Sequence, residues 1–289
     1  MDVYKVIFYS DGILDKLKLI IVVRGDLQNK EIVGDIWSPT ASMRTLKYLL
    51  SDSAKQKAIF HQLYFIGAFL QDKVKNRVFV KLDIRYTDYF PEYAKYFGRA
   101  LRLLNSRYGM TNSRKSFAEE LTEWLLEAGF IQSQCQMSIC YKYAPYGSKK
   151  IVLSYVDDCV YWYTNEDIGK WFVDALGKRF HVNLLGYAHW FMSIRVSQLK
   201  DHSISMDQAR YATSIFEKYL DTATVKVSTK FYNTTFPADM IFTKEDVSTI
   251  DEKVEKLTRE YNIHYRACIC SLIYLLSTRV DLSFAVHKS

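Results

Sequence analysis

Proline and glycine are scarce: the 289 residues hold four and eleven of them. So few breakers leave no room for a long linker or a collagen-like or low-complexity tract. No internal repeat is found, which excludes solenoid and propeller architectures. Cysteine is limited to Cys135, Cys140, Cys159, Cys268 and Cys270, an odd number without a CxxC pair. With no secretory pattern at Met1–Lys5, these read as reduced thiols of an intracellular protein. His264, Cys268, Cys270 and His287 fit no common zinc module, so zinc is not expected. No apolar run approaches the length that spans a bilayer, and no membrane partner is expected.

What is present suits a core. Apolar residues make up 49% of the chain and aromatics 15%. That fits one large domain or two or three closely joined subdomains. The formal net charge of +7 is compatible with a polyanionic partner and does not require one.

The stretch with the clearest chemistry is Ser154-Tyr155-Val156-Asp157-Asp158-Cys159-Val160. Two adjacent acids lie between apolar, β-prone runs, Ile151–Val156 on one side and Val160–Tyr163 on the other. The pattern reads as a hairpin with Asp157-Asp158 as its turn. Adjacent carboxylates repel unless a cation lies between them. Hard oxygen ligands suit Mg²⁺. Two such ions about 4 Å apart are a common device for displacement at phosphorus.

Other segments place this hairpin in an α+β chain. Leu17–Val23 reads as a strand ended by Arg24-Gly25-Asp26, and Leu46, Leu49 and Leu50 form a helical stripe. His61–Gln71 reads as one strand buried on both faces, followed by a strand at Val78–Leu82. Gly109 turns the chain into a helix that Asn112 or Ser113 can cap, with Phe117, Leu121, Trp124, Leu125 and Ala128 as its core stripe. Asp167 is the expected cap of the next helix, whose stripe is Ile168, Trp171, Phe172, Ala175 and Leu176. His189–Val196 reads as a strand. Two helices follow, one carrying Tyr211, Ile215 and Tyr219, the other Val254, Leu257, Tyr261, Tyr265, Cys268 and Leu272. The apolar end at Ser289 reads as a cut rather than a domain end.

Together these landmarks resemble the reverse transcriptase domain of copia-type LTR retrotransposons. Tyr155-Val156-Asp157-Asp158 matches that family's catalytic hairpin. Arg24-Gly25, Trp37-Ser38-Pro39, His61-Gln62, Ala68-Phe69-Leu70 and Tyr108-Gly109-Met110 occur upstream in family order. Tyr265–Ile269, Ser271–Leu275 and Thr278–Asp281 resemble the lead towards a ribonuclease H region.

The resemblance implies a right-hand polymerase: fingers at 1–60 and 75–110, a palm strand at 61–74, a palm with the hairpin at 111–205, and a partial helical thumb at 206–289. It implies nucleotidyl transfer from a dNTP to a primer 3′-hydroxyl on an RNA or DNA template, with Mg²⁺ or Mn²⁺. Asp157 and Asp158 would be the catalytic and metal-binding acids. Lys18, Gly109, Asn112 and Tyr155 would contact substrate. Integrase and ribonuclease H parts of a polyprotein are expected outside this chain. So is a cytoplasmic, virus-like particle setting.

The chain also departs from the family. A third carboxylate belongs three residues after His61, where Tyr64 stands. A phenol with pKa near 10 is no Mg²⁺ ligand at neutral pH. Its loss should cost roughly several kcal/mol at the transition state. Asp83 is rejected as the replacement because it follows Ala68-Phe69-Leu70 in family order. Ile20, Asn112, Cys270 and Arg107 also depart from the family pattern. The expectation is an impaired, degenerate copy; the alternatives are a non-catalytic nucleic-acid-binding remnant, or an unrelated two-metal enzyme using Asp83 or Asp174.

Overall fold

In the computed structural model the described residues are 2–8, 13–81, 87–88, 90–143, 149–221, 255, 259 and 264–288. The chain forms two compact units, Met1–Ala188 with Lys200–His202, and His189–Leu199 with Ser203–Ser289.

The first unit begins with an antiparallel ribbon of β1 (Asp2–Phe8) and β2 (Leu14–Ile21). Helix α1 (Met43–Lys55) starts at Ser42, whose side chain accepts from the Thr45 amide at 3.1 Å. That bond satisfies one of the free donors at the helix start. The expected leucines Leu46, Leu49 and Leu50 are its buried face.

Strand β3 (Ile59–Phe65) follows. The single strand expected over His61–Gln71 is corrected here. The strand stops at Phe65, Gly67 takes a left-handed φ of +61°, and Ala68–Gln71 form a 3₁₀ turn. Gln71 fixes this reversal: its amide donates to the Ile66 and His181 carbonyls at 2.9 and 3.0 Å. Its Oε1 accepts from the His181 amide at 2.6 Å. Short strands β4 (Phe79–Lys81) and β5 (Ala100–Arg102) form a separate ribbon.

Helix α2 (Ser113–Glu127) buries Phe117, Leu121 and Leu125, as the stripe predicts. Strands β6 (Ile131–Gln132), β7 (Ile139–Tyr143), β8 (Lys149–Tyr155) and β9 (Asp158–Tyr163) lead to helix α3 (Glu166–Arg179) and strand β10 (Val182–Tyr187). The cap of α3 is Asn165, not Asp167; Asn165 Oδ1 accepts from the Asp167 and Ile168 amides at 2.8 and 3.3 Å. Asp167 lies in the first turn, where its charge favours the helix dipole. Trp171, expected in the stripe, is exposed, with the Lys142 ammonium 4.4 Å from its ring centroid.

Six strands make one antiparallel sheet in the order β10-β3-β9-β8-β7-β6. Side chains alternate across it. One face carries Leu63, Phe65, Cys159, Tyr161 and Val152 into the core shared with α2 and α3. There Phe65 packs edge-on against Phe117 and Phe180, at centroid distances of 5.1 and 5.6 Å. The other face carries Phe60, Gln62 and Tyr64 on β3, paired with Trp162, Val160 and Asp158 on β9. Phe60 and Trp162 are fully buried, whereas Tyr64 and Asp158 are only partly buried. The second face is therefore less covered at the end that holds the acids.

In the second unit, the expected strand over His189–Val196 is instead a hairpin of β11 (Trp190–Phe191) and β12 (Ile194–Gln198), joined to β13 (Ile204–Asp207). Met192 and Ser193 form its two-residue turn with φ of +51° and +56°. Neither is glycine or asparagine, so the sequence carries no turn signal there. Ser193→Gly is expected to stabilise the protein by about 1 kcal/mol, read as a higher urea midpoint at unchanged slope.

Helix α4 (Ala209–Phe216) packs against α5 (Tyr265–Leu275) through an edge-on Tyr211–Tyr274 contact, and the Tyr211 hydroxyl donates to the Ser271 carbonyl at 3.3 Å. Helix α6 (Ser283–Lys288) follows. Cys268, expected in a buried helix face, is only half-buried. Val254, Leu257 and Tyr261 lie outside the described residues.

Candidate active site

Three neighbouring strands build the site. β8 and β9 are joined by a two-residue turn, Val156–Asp157, with Tyr155 paired to Asp158. The two acids therefore differ: Asp157 sits in the turn, and Asp158 is the first residue of β9. The expected turn, Asp157-Asp158, is displaced by one residue. Val156 has φ +56°, strained for a β-branched side chain. Val156 lines a small pocket together with Ser38, Pro39, Arg114 and Phe117.

Strand β3 closes the other side. Tyr64 pairs directly with Asp158, and the Phe65 amide donates to the Asp157 carbonyl at 2.8 Å. Directly paired antiparallel residues share a face with Cβ atoms about 5 Å apart. Tyr64 thus stands directly beside Asp158.

Electrostatics agree. Burial, then the charges of Asp157 and Asp158, push the Tyr64 phenol above its ordinary range. It is neutral at pH 7 and supplies no anionic oxygen. Burial raises the Asp158 carboxyl, and a hydrogen bond from Gln62 opposes that rise. Tyr108 is a further neighbour: burial, then the Asp157 charge, push its phenol up to about 12.

Sequence reasoning gave Gln62 and Tyr108 no role in the site. Gln62 carried a usable signal, since it lies two residues from Tyr64 and so on the same strand face. For Tyr108 the sequence has none, because its approach depends on folding across the chain.

The sign of the Asp158 shift makes a test. A carboxyl whose folded pKa is raised binds its proton more tightly when folded, so stability falls as pH rises through the window above the ordinary carboxylate pKa. In metal-free buffer, Asp158→Asn is expected to raise the melting temperature at pH 7. The gain should disappear once the pH falls below the ordinary carboxylate range.

The other expected site residues are placed as follows. Lys18 lies on β2 and Tyr155 ends β8; both side chains are outside the described residues. Gly109 has φ +89°, and a Cβ there would meet the Val23 carbonyl oxygen at 2.2 Å. A Cβ on Gly25 would meet the Gly109 carbonyl oxygen at 2.0 Å. The close approach that demands glycine at 109 is therefore to the chain's own Val22–Gly25 segment. The Val23 amide donates to the Tyr108 carbonyl at 2.9 Å. Gln28 Oε1 accepts from the Thr111 amide and hydroxyl at 2.9 and 2.8 Å.

Asn112 precedes α2 without capping it, and its buried Oδ1 has no hydrogen-bond partner. Ser113 does not cap either; its hydroxyl donates to the Arg107 carbonyl at 2.7 Å. Asp174 is exposed on α3, whose Phe172 and Leu176 pack on the face opposite the acids. Asp83 lies outside the described residues. Among the described residues no group of three His, Cys, Asp or Glu side chains forms a metal site. Nor is any described helix long and apolar enough to cross a membrane.

A mixed helical and antiparallel fold with paired acids at a hairpin tip defines a class. The chain belongs to the reverse transcriptase (RNA-dependent DNA polymerase) family, which its sequence matches over residues 9–233. Its relatives include the retrovirus-related Pol polyprotein from transposon RE2 of Arabidopsis thaliana, 25% identical over 97% of this chain and 18% of that protein. The polyprotein from transposon RE1 of the same plant is 24% identical over the same shares. That from transposon TNT 1-94 of Nicotiana tabacum is 22% identical over 98% of this chain and 21% of that protein. These findings bear out the resemblance to a retrotransposon reverse transcriptase domain. The chain spans about a fifth of the length of these curated relatives.

Proposed function

We propose that this chain is a right-hand polymerase domain whose RNA-directed DNA synthesis is impaired at the metal site. The observation that carries the reading is the Tyr64–Asp158 pairing beside Asp157. Fingers, palm and thumb follow the boundaries given by sequence, with the six-stranded sheet as the palm.

The donor set was weighed against the metal. Asp157 and Asp158 suit one hard cation, Mg²⁺ or Mn²⁺. A pair of ions needs a further anion, and Tyr64 withholds it. When bound, such ions neutralise charge on the attacking and leaving oxygens of a phosphoryl displacement. The chain's own residues orient the acids: Gln62 hydrogen-bonds the Asp158 carboxylate, and Tyr64 and Tyr108 are neutral phenols close enough to feel the Asp157 charge. Primer, template and dNTP are the partners of this reading. Integrase and ribonuclease H regions lie in the remainder of a polyprotein.

The test is binding and primer extension measured on one preparation. Primer–template should bind with an affinity that falls steeply with salt. Extension in Mg²⁺ or Mn²⁺ should stay near background. Robust extension by the unmodified chain would contradict the impairment. The absence of duplex binding at low salt would remove both the polymerase reading and its alternative, a binding remnant of the same fold.

A further inference from the structure

A buried acid lies outside the candidate site. Asp72 follows the Ala68–Gln71 turn and is 0% exposed. Its Oδ2 accepts from the Ser106 hydroxyl at 2.7 Å. Its Oδ1 is buried and has no hydrogen-bond partner. A buried carboxylate with an unmatched oxygen is costly when charged, whereas the neutral acid is not. One proton on Asp72 therefore changes what its surroundings must supply.

Those surroundings form a neck, in which residues 70–75 run beside residues 104–106. The Ser106 amide donates to the Asp72 carbonyl and the Val74 amide to the Leu104 carbonyl, both at 3.0 Å. The Asn105 side-chain amide donates to the Leu70 carbonyl at 2.9 Å, and Lys73 and Asn105 form a β-bridge. One cation ties this neck to α2. The Lys75 ammonium meets Glu119 at 3.2 Å and Glu123 at 3.4 Å, two acids one helical turn apart. Lys115 also approaches Glu119, at 3.9 Å, so Glu119 keeps a partner if Lys75 leaves.

The charged groups that act on Asp72 are these same three. Burial raises its carboxyl above the ordinary range; the Ser106 bond and the Lys75 charge oppose that rise, and Glu119 and Glu123 add to it. Relative strength decides which acid takes Lys75. The Lys75 side chain is 56% exposed, and those of Glu119 and Glu123 are 41% and 60% exposed. Ion pairs this open to water are weak and easily exchanged. A buried carboxylate has no water to replace a lost cation and holds one more strongly. Lys75 is three residues from Asp72 on the same segment, and its stem is flexible.

We propose that Lys75 is a proton-controlled latch: with Asp72 neutral it clips the neck to α2 through Glu119 and Glu123, and with Asp72 ionised it turns to Asp72 and releases α2. The two-state element is the Lys75 side chain, and the proton on Asp72 biases it. None of these residues belongs to the Asp157–Asp158 site, so the latch stands or falls separately from the polymerase reading.

The experiment is carbon-13 NMR titration of the Asp72 carboxyl in the full chain, with amide hydrogen exchange at Val74 and Ser106. Asp72 is expected to titrate above the ordinary carboxylate range. Lys75→Met removes the cation that stabilises the ionised acid and should move the midpoint further up; Glu119→Gln/Glu123→Gln frees that cation and should move it down. Exchange at Val74 and Ser106, taken relative to Asp72→Asn at the same pH, should be about tenfold faster above the midpoint than below it. Should Asp72→Asn fail to fold, the other variants change only exposed side chains and carry the test through the titration. A midpoint in the ordinary carboxylate range, or one that Lys75→Met leaves in place, would overturn the proposal. So would an exchange ratio that does not change with pH.

Discussion

Tyr64→Asp is expected to raise primer extension in Mg²⁺ or Mn²⁺ by about a hundredfold or more over the unmodified chain. The pairing of residue 64 with Asp158 puts the new carboxylate next to Asp158, and on the proposed reading it supplies the anion that Tyr64 withholds. A hundredfold corresponds to about 2.7 kcal/mol of barrier, a modest share of what a restored anionic ligand can supply. The same change adds a third negative charge to a partly buried cluster. Without metal the variant should therefore melt lower than the parent, because like charges at close range cannot all ionise cheaply. Added Mg²⁺ or Mn²⁺ should restore the midpoint as a function of concentration. Equal extension by parent and variant would show that the Tyr64 position does not limit the reaction. Metal-dependent melting without extension would place the defect elsewhere.

Gly109→Ala should destabilise the protein by about 3 kcal/mol. Two costs combine. A left-handed backbone is unfavourable by about 1–2 kcal/mol for a residue with a Cβ. The Cβ would also lie 2.2 Å from the Val23 carbonyl oxygen, so main chain must shift; overpacking of this kind costs about 1–3 kcal/mol. The measurement is the urea midpoint. A near-normal midpoint with a selective rise in KM for dNTP would instead assign Gly109 to substrate, the role the family resemblance implies. Gly25→Ala provides a second reading of the same contact, since its Cβ would face the Gly109 carbonyl oxygen.

Much of this arrangement was legible in the residues. The hairpin could be read because long β-prone runs flank Asp157-Asp158, and the helical stripes because Leu46, Leu49, Phe117 and Leu121 recur at helical spacing. The misplacements have physical causes. The hairpin turn lies one residue early because pairing of Tyr155 with Asp158 completes the ladder, which leaves Val156 in a conformation its side chain disfavours. Strand β10 carried no signal: five of its six residues are exposed, so no buried face imposes alternation. The Met192–Ser193 turn was hidden by residues that turns rarely use. Gln62 entered only as part of the His61-Gln62 landmark; its bond to Asp158 exists only once β3 and β9 lie side by side.

The left-handed Val156 makes the hairpin tip a small lever. Its side chain lines a small pocket with Pro39 and Phe117, while its backbone sets the direction in which Asp157 leaves the turn. Asp158 is fixed by the strand ladder. The direction in which Asp157 leaves the hairpin is thus set by the backbone of a neighbour that carries no charge, whereas the direction of Asp158 is set by pairing across two strands.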